Sequence, residues 1–227
     1  MRSVTEKIDL LYDSKEKCII CGKEFPIKKV RKSRLRVIKK DDDFCTYYKI
    51  VNPYFYEFLV CKYCKSVYTR SLGEYLKDDD IKTRKKIIKF YSQMEDTSSL
   101  EGKRSLEDAL RIGKLSILTG NMIGVPYGLI AGIFMRIAWF NRFKEDHREE
   151  KKYLQLAYEN YKKSYEEGEK TLTEEMLTYL LGELSNQLGD FEKSRIWFSI
   201  LFTLKRDIAI VNKGRDRWLS IKENNRV

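Results

Sequence analysis

Residues that interrupt regular structure are few in this chain. Its 227 residues include 3 prolines and 12 glycines, which favours helices and strands over flexible linkers. The single histidine, His147, lies in the charged run KEDHREE and is interpreted as solvated. The strings GxxxxGK(S/T), GxGxxG, HExxH and GxSxG do not occur. The sequence therefore shows no recognisable active site, and we predict that the protein is not an enzyme.

No segment has the signature of a secretory signal or a membrane span. The first residues, MRSVTEKIDLLYD, lack the long apolar run of a signal peptide. Residues 115–135 carry no charge and reach the roughly 20 residues that cross a bilayer. Their middle, TGNMIGVPYG, contains Asn121, Pro126 and glycines, which predicts two buried helices joined by a turn.

The overall composition is that of a folded, basic protein. It is 42% hydrophobic and 35% charged, and the 13% of aromatic residues supply large apolar surfaces for a core. The formal net charge is +11, and residues 1–70 hold 17 Lys/Arg against 9 Asp/Glu. Such a charge attracts nucleic acid or acidic surfaces, or it serves solubility alone.

Four of the five cysteines form two CxxC pairs, Cys18 with Cys21 and Cys61 with Cys64. Each CxxC turn brings two sulfurs close enough to share one tetrahedral ion, so two turns complete a four-sulfur shell. Zn²⁺ is the expected ion, and iron accepts the same ligands. The odd cysteine count favours a metal in a reducing, cytoplasmic compartment over disulfides. A redox CxxC and buried free thiols are the alternatives.

The fifth cysteine, Cys45, directly follows the run DDDF at residues 41–44. We interpret Cys45 as a small buried apolar residue; an additional metal ligand and the nucleophile of a thiol enzyme are the alternatives. A nucleophile needs a base, and His147 is distant in the sequence. The three aspartates lack the ligand spacing of an EF-hand and are interpreted as a solvated turn.

Residues 28–40 form the basic stretch of the first half and its best nucleic-acid candidate. Nearby tyrosines offer surfaces on which bases stack. The nucleic-acid hypothesis assigns binding to Lys28, Lys29, Arg31, Lys32, Arg34 and Arg36.

The first half predicts strands and the second half predicts helices. In residues 34–39, Leu35 and Val37 alternate with arginines, which is typical of a half-buried strand. Residues 54–60, YFYEFLV, predict a second strand. From about residue 72 onward the apolar spacing becomes helical. We predict an α+β protein with a mixed-β, zinc-ribbon-like domain at residues 1–75, a connecting helix at 76–102 and an all-α, TPR-like (tetratricopeptide-like) domain at 103–227.

Residues 178–201 resemble one TPR unit. Leu181 and Gly182 match the Leu-Gly pair of its first helix, Gly189 matches the turn, and Phe198 matches the aromatic position of the second helix. The small residues of such a unit let paired helices approach closely, and stacked pairs bury one continuous core.

Stacked TPR pairs line a concave groove with their first helices, here residues 126–141 and 173–188. Helices at 103–119 and 207–221 are expected to cap the array. The residues predicted on or near the groove are Arg136, Asn141, Arg142, Tyr179, Glu183, Asn186 and Gln187.

The order CxxCGKEF, KVRxSxLRV, DxDFCxYY, NPxFYEFxVC and CxxC, followed by the helical half, resembles a bacterial family of uncharacterised proteins, domain of unknown function 2225. The resemblance implies a cytoplasmic protein with a metal site and no established activity. The four paired cysteines match its cysteine pairs, and Cys45 matches the cysteine of its DFC segment. Together, these patterns predict a non-catalytic zinc-binding adaptor for a protein partner, with nucleic-acid binding and thiol catalysis by Cys45 as the alternatives.

Overall fold

The computed structural model describes residues 9–94, 100 and 102–224, and it has the predicted α+β architecture. Its contacts divide the chain into two units. The first, here called the cysteine unit, comprises Met1–Lys40 and Thr46–Ile123; the second, the helical unit, comprises Asp41–Cys45 and Gly124–Val227. The predicted domains at 1–75, 76–102 and 103–227 follow a different partition, and part of the connecting stretch lies outside the described residues.

The strands pair into separate antiparallel hairpins in the described part of the chain. Their bounds are β1 Leu11–Lys17 with β2 Glu24–Val30, β3 Val37–Lys40 with β4 Thr46–Tyr48, and β5 Phe58–Val60 with β6 Val67–Thr69. In β2, Phe25 and Ile27 are buried between exposed neighbours, whereas every residue of β5 is buried. These side chains form the core of the cysteine unit.

The structure corrects both predicted strands. The strand predicted at 34–39 begins only at Val37, after a short 3-10 helix at Lys32–Arg34. Val37 is also exposed, as is every other residue of β3, so the half-buried face predicted for this strand is not formed there. The strand predicted at 54–60 starts as a 3-10 helix at Pro53–Tyr56, since the Asn52 side chain accepts a hydrogen bond from the Tyr54 N–H at 3.0 Å.

The cysteine unit also contains α1 Arg70–Gly73, α2 Ile81–Ser92 and α3 Leu106–Ile123. The Asp80 carboxylate accepts the Thr83 N–H at 2.9 Å and fixes the start of α2. At the start of α3, Ser105 and Asp108 exchange the hydrogen bonds of a capping box.

Helix α3 belongs to the cysteine unit, although its sequence suggested a cap of the helical domain. The Thr119 hydroxyl donates to the carbonyl of Val67 in β6 at 2.6 Å. The Tyr91 hydroxyl donates from α2 to the Leu115 carbonyl at 2.9 Å. These buried bonds attach α3 to the sheet and helix that precede it in sequence.

The helical unit contains α4 Tyr127–Phe143, α5 His147–Glu166, α6 Glu174–Gln187, α7 Phe191–Thr203 and α8 Ile208–Asn224. Helix α3 ends at Ile123, Gly124 has a φ of 78°, and α4 starts after Pro126, so the predicted turn is confirmed. Within the described residues, no helix has the length and apolar character that crossing a membrane requires.

Helices α6 and α7 pack closely against each other at Gly182 and Phe198. A Cβ added at Gly182 would lie 3.0 Å from the Phe198 ring, so only glycine permits this approach. Phe198 belongs to a buried cluster with Tyr179 and Leu201, and Val211 of α8 joins it. The close packing that the sequence predicts between these helices is therefore present.

Candidate metal centre and charged cluster

The first cysteine pair lies at the tip of the β1–β2 hairpin. The Cys18 N–H donates to the Lys23 carbonyl, and the Gly22 N–H donates back to the Cys18 carbonyl, both at 2.9 Å. The N–H of Cys21 points at the Cys18 sulfur at 3.5 Å. Gly22 has a φ of 74°, which lets the chain reverse tightly around the sulfurs.

The second pair repeats this backbone pattern at the tip of the β5–β6 hairpin. The Cys61 N–H donates to the Ser66 carbonyl at 3.0 Å, and the Lys65 N–H donates to the Cys61 carbonyl at 2.8 Å. Lys65 stands where the first turn has glycine, yet it adopts the same left-handed conformation with a φ of 59°. The two turns are thus equivalent although their sequences differ, and both orient their cysteines in the same way.

The four sulfurs form a cluster that fits a tetrahedral ion. The Sγ atoms of Cys18 and Cys64 are 3.7 Å apart, as are those of Cys21 and Cys61, and all four lie within 4.8 Å of one another. A metal–sulfur bond of about 2.3 Å gives a tetrahedron with edges of about 3.8 Å. The spacing therefore matches a metal site, and the four predicted ligands are brought together.

The pKa shifts of the cysteine thiols also favour a cation among these four sulfurs. Contacts with the Cys61 and Cys64 sulfurs lower the pKa of Cys18 well below its ordinary value. The contact with Cys18 in turn raises the pKa of Cys61 to about 12. Crowded thiols resist losing all their protons unless a positive charge compensates them. A bound ion would supply that charge, and Zn²⁺ and iron both suit an all-sulfur shell.

Most of the predicted nucleic-acid residues lie at exposed positions. Arg31, Lys32, Arg34 and Arg36 are exposed, and Lys28 and Lys29 are half-buried. Three of the six contact other side chains: Lys28 lies 2.7 Å from Asp13, Lys29 lies 3.8 Å from Glu16, and the Arg31 guanidinium lies 4.8 Å from the centre of the Tyr12 ring.

A buried ion pair in the helical unit involves one of the predicted groove residues. The side chain of Asp43 is completely buried, and its Oδ2 accepts a hydrogen bond from Arg142 Nη2 at 2.7 Å. The indole N–H of Trp139 donates to the same oxygen at 3.0 Å. A buried carboxylate needs such partners because its desolvation is costly.

Arg142 of α4 connects this pair to neighbouring groups. It also donates to Asp41 at 2.9 Å, to Glu150 of α5 at 2.6 Å and to Gln187 of α6 at 3.1 Å. Burial opposes the charge of Arg142, but Asp43 and Glu150 outweigh burial and raise its pKa. The guanidinium therefore remains charged at any pH at which the protein is folded.

The middle aspartate of the run, Asp42, is held by α6 and α8. Its carboxylate lies 3.3 Å from Lys213 Nζ and 3.2 Å from Arg217 Nε. The Tyr179 hydroxyl donates to the Asp42 carbonyl at 2.9 Å. Arg217 also binds the buried Glu183 at 2.6 Å, which limits the rise that burial causes in the pKa of Glu183.

These contacts correct the solvated turn predicted for the three aspartates. Asp41–Cys45, here called the acidic segment, packs within the helical unit against Arg142 and Tyr179, two of the residues predicted on or near the partner groove. Tyr179 and Glu183 are buried there, and Asn141 is buried with its amide bonded to Ile137. Arg136 lies over the Trp139 ring at 4.4 Å, and Asn186 is half-buried. No local sequence pattern signals this arrangement, because its partners lie on separate helices.

Cys45 is fully buried at the end of the acidic segment, as predicted. Burial, with the nearby charge of Asp43, raises the pKa of the Cys45 thiol to about 12. A reactive cysteine requires a lowered pKa, so this environment is opposite to that of a nucleophile. It lies in the helical unit, whereas the cluster of four sulfurs lies in the cysteine unit.

Comparison with known proteins gives one family match. The model of the family described as "Uncharacterized protein conserved in bacteria (DUF2225)" matches residues 11–221. No curated protein and no solved structure matches the chain.

Proposed function

We propose that this chain, which belongs to the bacterial family DUF2225, is a non-catalytic zinc-binding adaptor that binds a protein partner through its helical unit. The observation that carries the proposal is the cluster of four cysteines. Four protein sulfurs fill a tetrahedral shell, whereas a catalytic zinc keeps one position for water or substrate. Zinc is the expected ion because it is the usual occupant of such structural sites, and a cytoplasmic location accords with free thiols.

The arrangement of the helical unit supports the binding of a partner. Helices α4 with α5 and α6 with α7 form consecutive pairs, and α8 follows them. The contact of Gly182 with Phe198 is the small-to-aromatic packing expected of a TPR-like pair. Stacked helix pairs of this kind present extended surfaces that proteins use for recognition.

Two alternatives are weaker on structural grounds. The raised pKa and full burial of Cys45 count against a thiol enzyme. Nucleic-acid binding retains the exposed Arg31, Lys32, Arg34 and Arg36, but Lys28 and Lys29 are half-buried beside Asp13 and Glu16.

The test is capture of partners from the native cell with the full metal-loaded chain, followed by reconstitution from purified components. A partner protein that stays bound after nuclease treatment and reassembles at fixed stoichiometry is the expected result. Replacing Lys32, Arg34 and Arg36 by glutamine should leave it bound, as should the control that replaces the exposed Lys82, Lys85 and Lys86 of α2. Retention that nuclease and the first variant abolish, but the control does not, would replace this proposal by nucleic-acid binding.

A further inference from the structure

We infer that the helical unit contains a recognition site for an acidic peptide with a neighbouring aromatic residue, and that the acidic segment occupies this site as an intramolecular ligand. The inference rests on the proposed function and specifies the chemistry of the partner. The site comprises Trp139 and Arg142 of α4, Tyr179 of α6, and Lys213 and Arg217 of α8.

Charge complementarity identifies the class of ligand. The three cations of the site all contact aspartates of the acidic segment: Arg142 binds Asp41 and Asp43, while Lys213 and Arg217 bind Asp42. The cations come from helices that lie far from the segment in sequence, and together they match three consecutive carboxylates. A ligand without negative charge would leave Lys213 without its carboxylate partner, and would leave Arg142 and Arg217 with only Glu150 and Glu183.

The site also contacts the main chain and the aromatic side chain of the segment. The Tyr179 hydroxyl binds the carbonyl of Asp42, which is a contact that any peptide can provide. The Phe44 ring lies 5.3 Å from the Tyr179 ring, with Lys213 Nζ 5.5 Å from the Phe44 centroid. A site that combines main-chain, charged and aromatic contacts suits a short acidic peptide with a neighbouring aromatic residue.

The acidic segment is a constrained ligand that a free peptide can replace. It forms the turn between β3 and β4, where the Asp41 N–H donates to the Cys45 carbonyl at 2.8 Å. Phe44 adopts a φ of 69°, a strained conformation for an aromatic residue. A linear peptide avoids that strain, but it competes with a tethered segment at an effective concentration in the millimolar range. The unmodified chain should therefore bind such a peptide weakly.

The test measures binding of a fluorescent peptide, KKDDDFST, to the full metal-loaded chain by polarisation. The variant Asp41→Asn with Asp42→Asn weakens the half-exposed contacts of the segment and leaves the buried Asp43 in place. We expect it to bind the peptide at least about tenfold more tightly than the unmodified chain, because its site is open for a larger fraction of time. The control, Asp78→Asn with Asp79→Asn, alters two exposed aspartates and should behave as the unmodified chain does.

Two further measurements test the role of Lys213 and the displacement of the acidic segment. Adding Lys213→Gln to the segment variant should reduce its peptide affinity at least about tenfold, because Lys213 contacts both the aspartate and the aromatic ring. In the unmodified chain, about 1 mM peptide should accelerate hydrogen exchange at the Cys45 N–H, which is bonded to Asp43. The peptide KKNNNFST, which lacks the three carboxylates, should neither bind the segment variant tightly nor accelerate exchange at Cys45.

The inference is overturned if the folded segment variant binds KKDDDFST no better than the unmodified chain does. It is also overturned if the peptide leaves exchange at Cys45 unchanged. A captured partner protein that the peptide does not displace from the segment variant would refute this site and leave the proposed adaptor function standing. Failure of the adaptor function alone would instead appear as peptide binding that obeys these expectations while no partner protein is captured.

Discussion

The cluster of four sulfurs and the charged cluster around Arg142 differ in how their negative charge is balanced. The cysteine unit gathers four cysteines whose sulfurs could hold a metal ion from solution. The helical unit gathers its own anions and cations, and Asp43 is balanced by Arg142 without any external group. We therefore expect the cysteine unit to depend on metal for its folding and the helical unit to depend on its own side chains.

The largest expected effect is the loss of the metal. Cys18→Ser removes one of the four ligands, and a structural zinc contributes on the order of 10 kcal/mol to folding in small peptides. We expect loss of bound metal and rapid hydrogen exchange across β1 and β2, while α6 and α7 remain protected. Metal content and exchange followed by mass spectrometry measure both.

Cys45→Ala is the matched control, because it removes a buried cysteine outside the cluster. It should retain the metal and the protection of β1 and β2. Equal metal loss in both variants, or full protection in Cys18→Ser, would contradict the assigned dependence of the cysteine unit on its four ligands.

The next effect concerns the helical unit. Asp43→Ala leaves Arg142 without its most buried partner, and breaking a buried pair typically costs about 3–5 kcal/mol. Urea unfolding monitored by exchange in α4 should show this loss, with metal content unchanged.

The second aspartate run supplies the control for that change. Asp79 is exposed, so Asp79→Ala should alter stability by less than about 0.5 kcal/mol. An Asp43→Ala variant as stable as Asp79→Ala would show that the acidic segment does not stabilise the helical unit.

A smaller effect tests the packing of α6 on α7. Gly182→Ala places a Cβ 3.0 Å from the Phe198 ring and should destabilise by about 1–3 kcal/mol. Gly132→Ala on α4 meets nothing closer than 3.9 Å and should stabilise by up to about 1 kcal/mol through helix propensity. Thermal unfolding of the two variants gives the comparison, and equal midpoints would argue against close helix packing.

The smallest expected effect concerns the ionisation and reactivity of the Cys45 thiol. Because burial raises its pKa from 9.0 to about 12, its contribution to stability is complete below about pH 9 and decreases as the pH rises towards 12. Between pH 7 and 9, iodoacetamide should modify Cys45 only after denaturation, as mass spectrometry would show. Rapid modification of Cys45 in the native chain would restore the thiol-enzyme alternative.

The sequence predicted the features that depend on local spacing. The CxxC pairs and the turn before Pro126 each lie within a few residues of the groups they position. The alternating pattern wrongly predicted that Val37 lies in a half-buried strand. Alternating side chains indicate a strand, but they do not show whether another layer covers it.

The charged cluster could not be predicted in this way. Asp43 and Arg142 are 99 positions apart, and a run of aspartates usually indicates solvent exposure. The runs at 41–43 and 78–80 have the same composition, yet Asp43 is buried and Asp79 is exposed. Tertiary packing alone distinguishes them. The same limit applied to α3, whose helical pattern gave no sign of which unit it would join.

X-ray absorption at the zinc edge, on protein purified under reducing conditions, would show directly which atoms surround the ion. We expect one zinc per chain with four sulfur neighbours at about 2.3 Å and no nitrogen or oxygen ligand. Such a shell would establish the closed site formed by Cys18, Cys21, Cys61 and Cys64. A chain that contains no metal, or a zinc with an oxygen neighbour in place of one sulfur, would contradict the closed structural site and with it the non-catalytic role.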